Sequence, residues 1–131
     1  MTDIRILLVD DEPDIRAVVD VSLGLDPEFR TRACASGADA LVMAAQWSPS
    51  LILLDVMMPV MDGPATLANL RKDPRTAYIP VLFLTARTQI GEIEHFVSLG
   101  AQGVLAKPFD PMTLAARVRS HLPLPAGRHA S

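Results

Sequence analysis

The chain predicts an α/β fold, a doubly wound sheet of five parallel strands in a (βα)5 arrangement, and three observations point there. Five short apolar runs recur along the 131 residues, each is followed by a segment with helical spacing, and the connections between them are short. Crossovers between parallel strands are right-handed, and helices must cover both faces of such a sheet.

The first run, Ile4-Arg5-Ile6-Leu7-Leu8-Val9, is nearly continuous in its apolar character and stops at Asp10-Asp11. That pattern suits a strand buried on both faces. Pro13 then stands near a first helical position, with Ile15, Val18, Val19 and Leu23 on one inward face and Gly24 as a stop. A second strand is expected from Phe29 to Ala35. Ser36 with Asp39 forms a variant capping box for a second helix that carries Leu41, Ala44 and Ala45 and ends near Ser48-Pro49.

Leu51-Ile52-Leu53-Leu54 is a third strand closed by Asp55, and after a loop punctuated by Pro59 and Gly63 a third helix is marked by Leu67 and Leu70. Pro80 to Leu84 forms a fourth strand ending at Thr85. Ile90, Ile93 and Val97 mark a fourth helix ending at Gly100, and Gly103 to Ala106 is a short fifth strand. Asp110-Pro111 is expected to cap the last helix, with Leu114, Val118 and Leu122 inward. The domain is assigned to residues 1–122, and 123–131 to a tail or the start of a linker.

Composition narrows the function. The formal net charge is -3 and the Lys and Arg residues are scattered, so direct nucleic-acid binding is not expected. No apolar run approaches a membrane span and the N-terminus lacks the layout of a secretory signal, which predicts a cytoplasmic chain without membrane contact. The single cysteine, Cys34, is expected to act as a buried small hydrophobe.

In open α/β sheets ligands bind beyond the carboxyl ends of the strands. The residues that follow the strands here are Asp10-Asp11, Asp55, Thr85 and Lys107: three acids, a hydroxyl and an ammonium. Clustered carboxylates need a cation, and oxygen ligands without His or Cys select a hard ion such as Mg2+. Asp55 is the best nucleophile candidate, because it ends a central strand and a carboxylate can form an acyl phosphate. Phosphoryl transfer depends on charge neutralisation, a role open to Lys107 and Thr85. Lys107 sits among Val104-Leu105-Ala106 and Pro108-Phe109, and an interior lysine is costly without an anionic partner. Met57, Met58 and Met61 are expected to pack against the loop and helices. His95, His121 and His129 are expected to be solvated or capping residues, Trp47 to close a helix against the core, and Asp62-Gly63 to serve turn geometry.

Taken together, Asp10-Asp11, Asp55 with Met58-Pro59 and Asp62-Gly63, Thr85-Ala86 and Lys107-Pro108-Phe109 resemble the receiver domain of two-component response regulators, over about Ile4 to Leu122. The resemblance implies a flavodoxin-like fold and a switch operated by phosphorylation of Asp55. It implies that Asp11 and Asp55 ligate Mg2+ directly, Asp10 does so through water, and the backbone carbonyl of Met57 adds a ligand. Lys107, Thr85 and the backbone N–H groups of Met57 and Ala86 would hold the phosphoryl oxygens, and the Lys107-Pro108 bond would be cis. The implied donor is a histidine kinase or histidine phosphotransfer protein. The implied output is a protein target met through helix 4, strand 5 and helix 5, with phosphorylation-dependent homodimerisation as a further route.

One departure stands out. Many receivers carry an aromatic residue three positions before the site lysine, and here that position is Val104, so an aromatic rotamer switch is excluded. Arg87, the residue after Ala86, is placed to reach the mouth of the site and, with Met57, to tune acyl-phosphate lifetime. An aspartate-based hydrolase is the competing enzyme reading, but such enzymes place the nucleophile after the first strand. A scaffold that abandoned phosphorylation would have had no need to keep all five site positions.

Overall fold

The structure is a computed structural model and describes residues 3–122. The tail assigned to 123–131, with His129, lies outside the described residues. Ten elements alternate strictly: β1 (Ile4–Val9), α1 (Pro13–Leu23), β2 (Phe29–Cys34), α2 (Gly37–Trp47), β3 (Leu51–Asp55), α3 (Gly63–Lys72), β4 (Val81–Thr85), α4 (Ile90–Ser98), β5 (Gly103–Ala106) and α5 (Leu114–Ser120). The strands form one parallel sheet in the order β2-β1-β3-β4-β5. The chain starts near the middle, winds to one edge, returns and winds to the other, so the switch point lies between β1 and β3.

Strand alternation sorts the core into two layers. Leu7, Val9, Ile52, Leu54, Val81 and Phe83 face α2, α3 and α4, meeting Ala40, Ala44, Leu67, Leu70 and Phe96. Ile6, Leu8, Leu51, Leu53, Leu82 and Leu84 face α1 and α5, meeting Val19, Leu23, Leu114, Ala115 and Val118. β3 and β4 are buried at every position. Each fully buried aliphatic side chain contributes roughly 1.5–3 kcal/mol relative to exposure.

Local chemistry sets the boundaries. Ser36 Oγ accepts from the Asp39 N–H at 3.1 Å and starts α2 as expected, and Ser48 closes it in the left-handed region at φ 53°. Asp62 caps α3 by accepting from the Ala65 N–H at 2.9 Å. Two arginines tie helices to distant loops. Arg119 of α5 grips Asp26 at 2.7 Å and Glu28 at 2.6 Å after α1, which holds the Asp26 carboxyl below its ordinary range. Arg71 of α3 donates to the carbonyls of Ile79 and Gly100.

The structure corrects several expectations, while those for Trp47 and His121 hold. Val18 is 42% exposed, because the inward face of α1 turns through Val19, Ser22 and Leu23. In α4, Ile90 and Val97 face outward and Phe96 is the buried residue. Asp110 does not cap α5 itself. Its carboxylate and carbonyl instead hold the turn at Met112–Leu114, and α5 begins at Leu114 with Thr113 as its cap residue. Met57 is exposed rather than packed, whereas Met58 is buried. Cys34 is half-buried, and burial pushes its thiol up to about 11, which leaves it unreactive at neutral pH. Trp47 packs partly against the core, with the Arg32 guanidinium 4.9 Å from its ring centroid. His121 serves as the C-cap residue of α5.

Candidate functional site

The carboxyl ends of β1, β3, β4 and β5 deliver the candidate residues to one mouth. β1 hands over to Asp10, which is fully buried, and to the half-buried Asp11. Asp55 is the last residue of β3 and 3% exposed. Carboxylate oxygens of Asp10, Asp11 and Asp55 all lie within 4.8 Å of one another.

Lys107 answers this concentration of charge. Its Nζ lies 2.9 Å from Asp10 Oδ2 and 3.1 Å from Asp55 Oδ1, with Glu12 Oε1 farther off at 3.9 Å. Burial opposes the ammonium charge, but hydrogen bonds to Asp10 and Asp55 outweigh it and hold the lysine pKa above its ordinary value. Asp55 is shifted upward. Burial is the largest cause, the Lys107 hydrogen bond opposes it, and repulsion from Asp10 adds to it.

Backbone groups complete the floor. The Met57 N–H donates to Asp55 Oδ1 at 3.4 Å, and the Glu12 N–H donates to Asp10 Oδ1 at 2.9 Å. Thr85, 5% exposed at the end of β4, accepts at its Oγ from the Arg87 N–H at 3.0 Å. The Lys107 N–H donates to the Thr85 carbonyl at 2.9 Å, so the hydroxyl and the ammonium are carried by paired backbones. Ala86 follows at the exposed rim. The Lys107-Pro108 peptide bond is cis.

Asp10, Asp55 and Lys107 are thus in direct contact, Asp11 joins their oxygen cluster, and Thr85 stands on the adjacent strand. Two further residues enter that sequence reasoning did not single out, and a third, Gly63, lies nearer the site than its turn role implied. Glu12 adds a carboxylate beside Lys107, and Arg16 donates to the Asp10 carbonyl at 2.8 Å. Gly63 lies so close under β3 that a Cβ there would sit 2.5 Å from the Asp55 carbonyl oxygen. A glycine opening a helix after Asp62 was legible as turn chemistry, but its contact with the site was not.

The donor set fits a hard divalent cation: three carboxylates, with neither His nor Cys among them, in a cluster that one lysine does not neutralise.

Comparison with known proteins agrees. A family model described as the response regulator receiver domain matches residues 6–119. The DNA-binding dual master transcriptional regulator RpaA of Synechocystis is 41% identical over 118 residues, covering 90% of this chain and 48% of that protein. Response regulator PleD of Caulobacter vibrioides is 42% identical over 117 residues, covering 88% of this chain and 25% of that protein. The chain therefore spans about half or less of these curated relatives. Among solved structures, the chemotaxis response regulator CheY4 of Vibrio cholerae superposes with a TM-score of 0.84 at 33% identity, over 92% of this chain and all of that one. The chain belongs to the response regulator receiver domain family, the phosphorylation switch of two-component signalling.

Proposed function

We propose that Asp55 is the phosphoryl acceptor of this receiver, and that a histidine kinase or histidine phosphotransfer protein is the donor. The observation that carries this reading is the Lys107 ammonium bridging the buried carboxylates of Asp10 and Asp55. An Asp55 carboxylate oxygen attacks phosphorus, the P–N bond to the donor imidazole breaks, and the imidazole nitrogen leaves with the electron pair. Asp10, Asp11, Asp55 and the Met57 backbone carbonyl would hold Mg2+, which when bound neutralises charge on the transferring oxygens. Lys107 supplies a second positive charge, already held against Asp55. Thr85 and the Met57 and Ala86 N–H groups offer hydrogen bonds to the phosphoryl oxygens.

The receiver unit is assigned to residues 1–122. It catalyses its own phosphorylation and its own dephosphorylation, acts in the cytoplasm, and signals by protein contacts through α4, β5 and α5 or by phosphorylation-dependent dimerisation. Direct nucleic-acid and membrane contacts have no part in this reading. The cationic residues are scattered along the chain, and among the described residues no helix is long and apolar enough to cross a membrane.

The test is intact mass after incubation with Mg2+ and acetyl phosphate, for the wild-type chain and for Asp55→Asn. A gain of one phosphoryl group that requires Mg2+ and disappears in Asp55→Asn is expected. A gain that persists in Asp55→Asn, or no gain at all, would overturn the assignment.

A further inference from the structure

We propose that the open edge of β2 docks an extended acidic segment of a partner protein, which adds to the sheet as a sixth strand. This surface does not depend on Asp55 being the phosphoryl acceptor.

β2 pairs with β1 along its whole length, Phe29 to Cys34, and among the described residues no strand lies on its other side. The backbone shows which groups are left over. The carbonyls of Glu28 and Cys34 accept from the Ile4 and Asp10 N–H groups at 3.0 and 3.2 Å. Backbone direction alternates along a strand, so the groups of Arg30 and Arg32 also turn toward β1, and the N–H and C=O groups of Thr31 and Ala33 turn outward. Such a row is a template for another strand unless the fold blunts it. No proline interrupts β2, and the small side chains of Ala33 and Ala35 leave the approach open. At the opposite edge, β5 has only four residues.

The fold also gathers charge that the sequence scatters. Arg30 and Arg32 project from the same face of β2, and Arg5, the register partner of Arg30, stands beside them on β1. Arg32 is held in place, with its guanidinium 4.9 Å from the Trp47 ring centroid and its Nη1 3.8 Å from Met43 Sδ. Arg30 meets Asp3 at 3.5 Å in an exposed pair that an incoming carboxylate can replace at little cost. On the other face, Thr31 donates to Asp20 at 2.7 Å, so that side of the strand is acidic. Just beyond Arg32 an open cleft of about 480 Å3 separates residues 33–35 from α2, and Met43 and the exposed Val42 line it.

These features select the occupant. A second copy paired antiparallel through the same edge would set Arg30 and Arg32 against its own arginines, and like charges directly opposite each other are destabilising. A strand with carboxylates at alternate positions matches both arginines, and an apolar side chain two places farther on reaches the cleft. Antiparallel pairing is the more stable per residue. The matching segment therefore runs apolar, neutral, acidic, neutral, acidic, with the neutral residues on the side of Asp20.

The probe is the peptide Leu-Thr-Glu-Thr-Glu-Thr, blocked at both ends and titrated into 15N-labelled protein, with amide shifts and exchange rates read by NMR. Slowed exchange at the Thr31 and Ala33 N–H groups is expected without phosphorylation. Arg30→Ala and Arg32→Ala should each weaken binding about two- to fivefold. The peptide Leu-Thr-Thr-Glu-Glu-Thr has the same composition but puts its carboxylates on opposite faces, and should bind more weakly by a similar factor. Leu-Thr-Lys-Thr-Lys-Thr should bind the double variant Arg30→Glu, Arg32→Glu and not the wild type. Both arginines are exposed, so these changes leave the core untouched. Unchanged exchange at Thr31 and Ala33, or equal binding of the two glutamate peptides, would overturn the proposal. So would protection of these amides that grows with protein concentration alone, which assigns the edge to a second copy, or tighter binding of a thymidine hexanucleotide at the same residues.

Discussion

Lys107 and Asp55, 52 residues apart in the chain, meet at 3.1 Å, and the same ammonium reaches Asp10 at 2.9 Å. A single cation thus serves two buried carboxylates, with Asp11 close by. The trio carries net negative charge in a confined space, and that surplus is what favours a second, divalent cation.

Removing the ammonium should expose this dependence. Lys107→Ala leaves Asp10 and Asp55 without their shared partner and is expected to destabilise the metal-free protein by about 3 kcal/mol at neutral pH. Mg2+ should recover part of the loss by binding the folded state. Urea unfolding with and without Mg2+ measures both, and an unchanged midpoint would show that the bridge contributes nothing to stability.

The pH dependence of Asp55 has a definite sign. Its folded pKa is raised, first by burial and then by Asp10, against the opposing Lys107 hydrogen bond. A raised carboxyl pKa stabilises the fold below the unfolded value, and the stabilisation is lost as pH rises through the folded value. Without metal, Asp55→Asn is therefore expected to melt higher than wild type at about pH 7, with the gap closing toward about pH 4. Thermal unfolding across that range is the check, and a gap that widens on acidification would contradict the burial effect.

Val60, in the loop after Met58-Pro59, is a β-branched residue at φ 69° with its side chain fully exposed. The left-handed region is costly for such a residue, and nothing in its packing offsets the cost. Val60→Asn should stabilise the protein by about 1 kcal/mol, read as a raised urea midpoint at unchanged slope.

Gly63 is fixed by contact rather than by backbone angle. A Cβ there would lie 2.5 Å from the Asp55 carbonyl oxygen and 2.9 Å from the Val56 Cα, and neither backbone atom yields easily. Gly63→Ala is expected to cost about 2 kcal/mol and to slow phosphoryl uptake by displacing the end of β3. Chemical denaturation and the rate of mass gain would report the two effects. Wild-type values for both would mean that α3 can move aside.

Much of this protein was legible in its amino-acid order because the signals are local. Apolar runs such as Leu51–Leu54 name strands, Ser36 with Asp39 names a helix start, and the residue after each strand falls at the sheet's carboxyl edge whatever the details of packing. That rule alone pointed to Asp10, Asp11, Asp55, Thr85 and Lys107. The exposure of Val18 and Val97 was not legible, since adjacent apolar residues on a helix are separated only by how that helix seats on the sheet. Nor was the bond between Asp110 and the turn before α5, which leaves the helix to begin later.

The sequence by itself determined the strand order of chemistry, the fold class and the identity of the charged groups. Tertiary structure alone decided that Lys107 binds Asp10 and Asp55 together, that Gly63 touches the backbone of Asp55, and that Arg87 ties Thr85 to Glu92. Periodicity and end-of-strand position are properties of neighbours along the chain, whereas these contacts join residues on separate elements and exist only once the sheet has set the register between them.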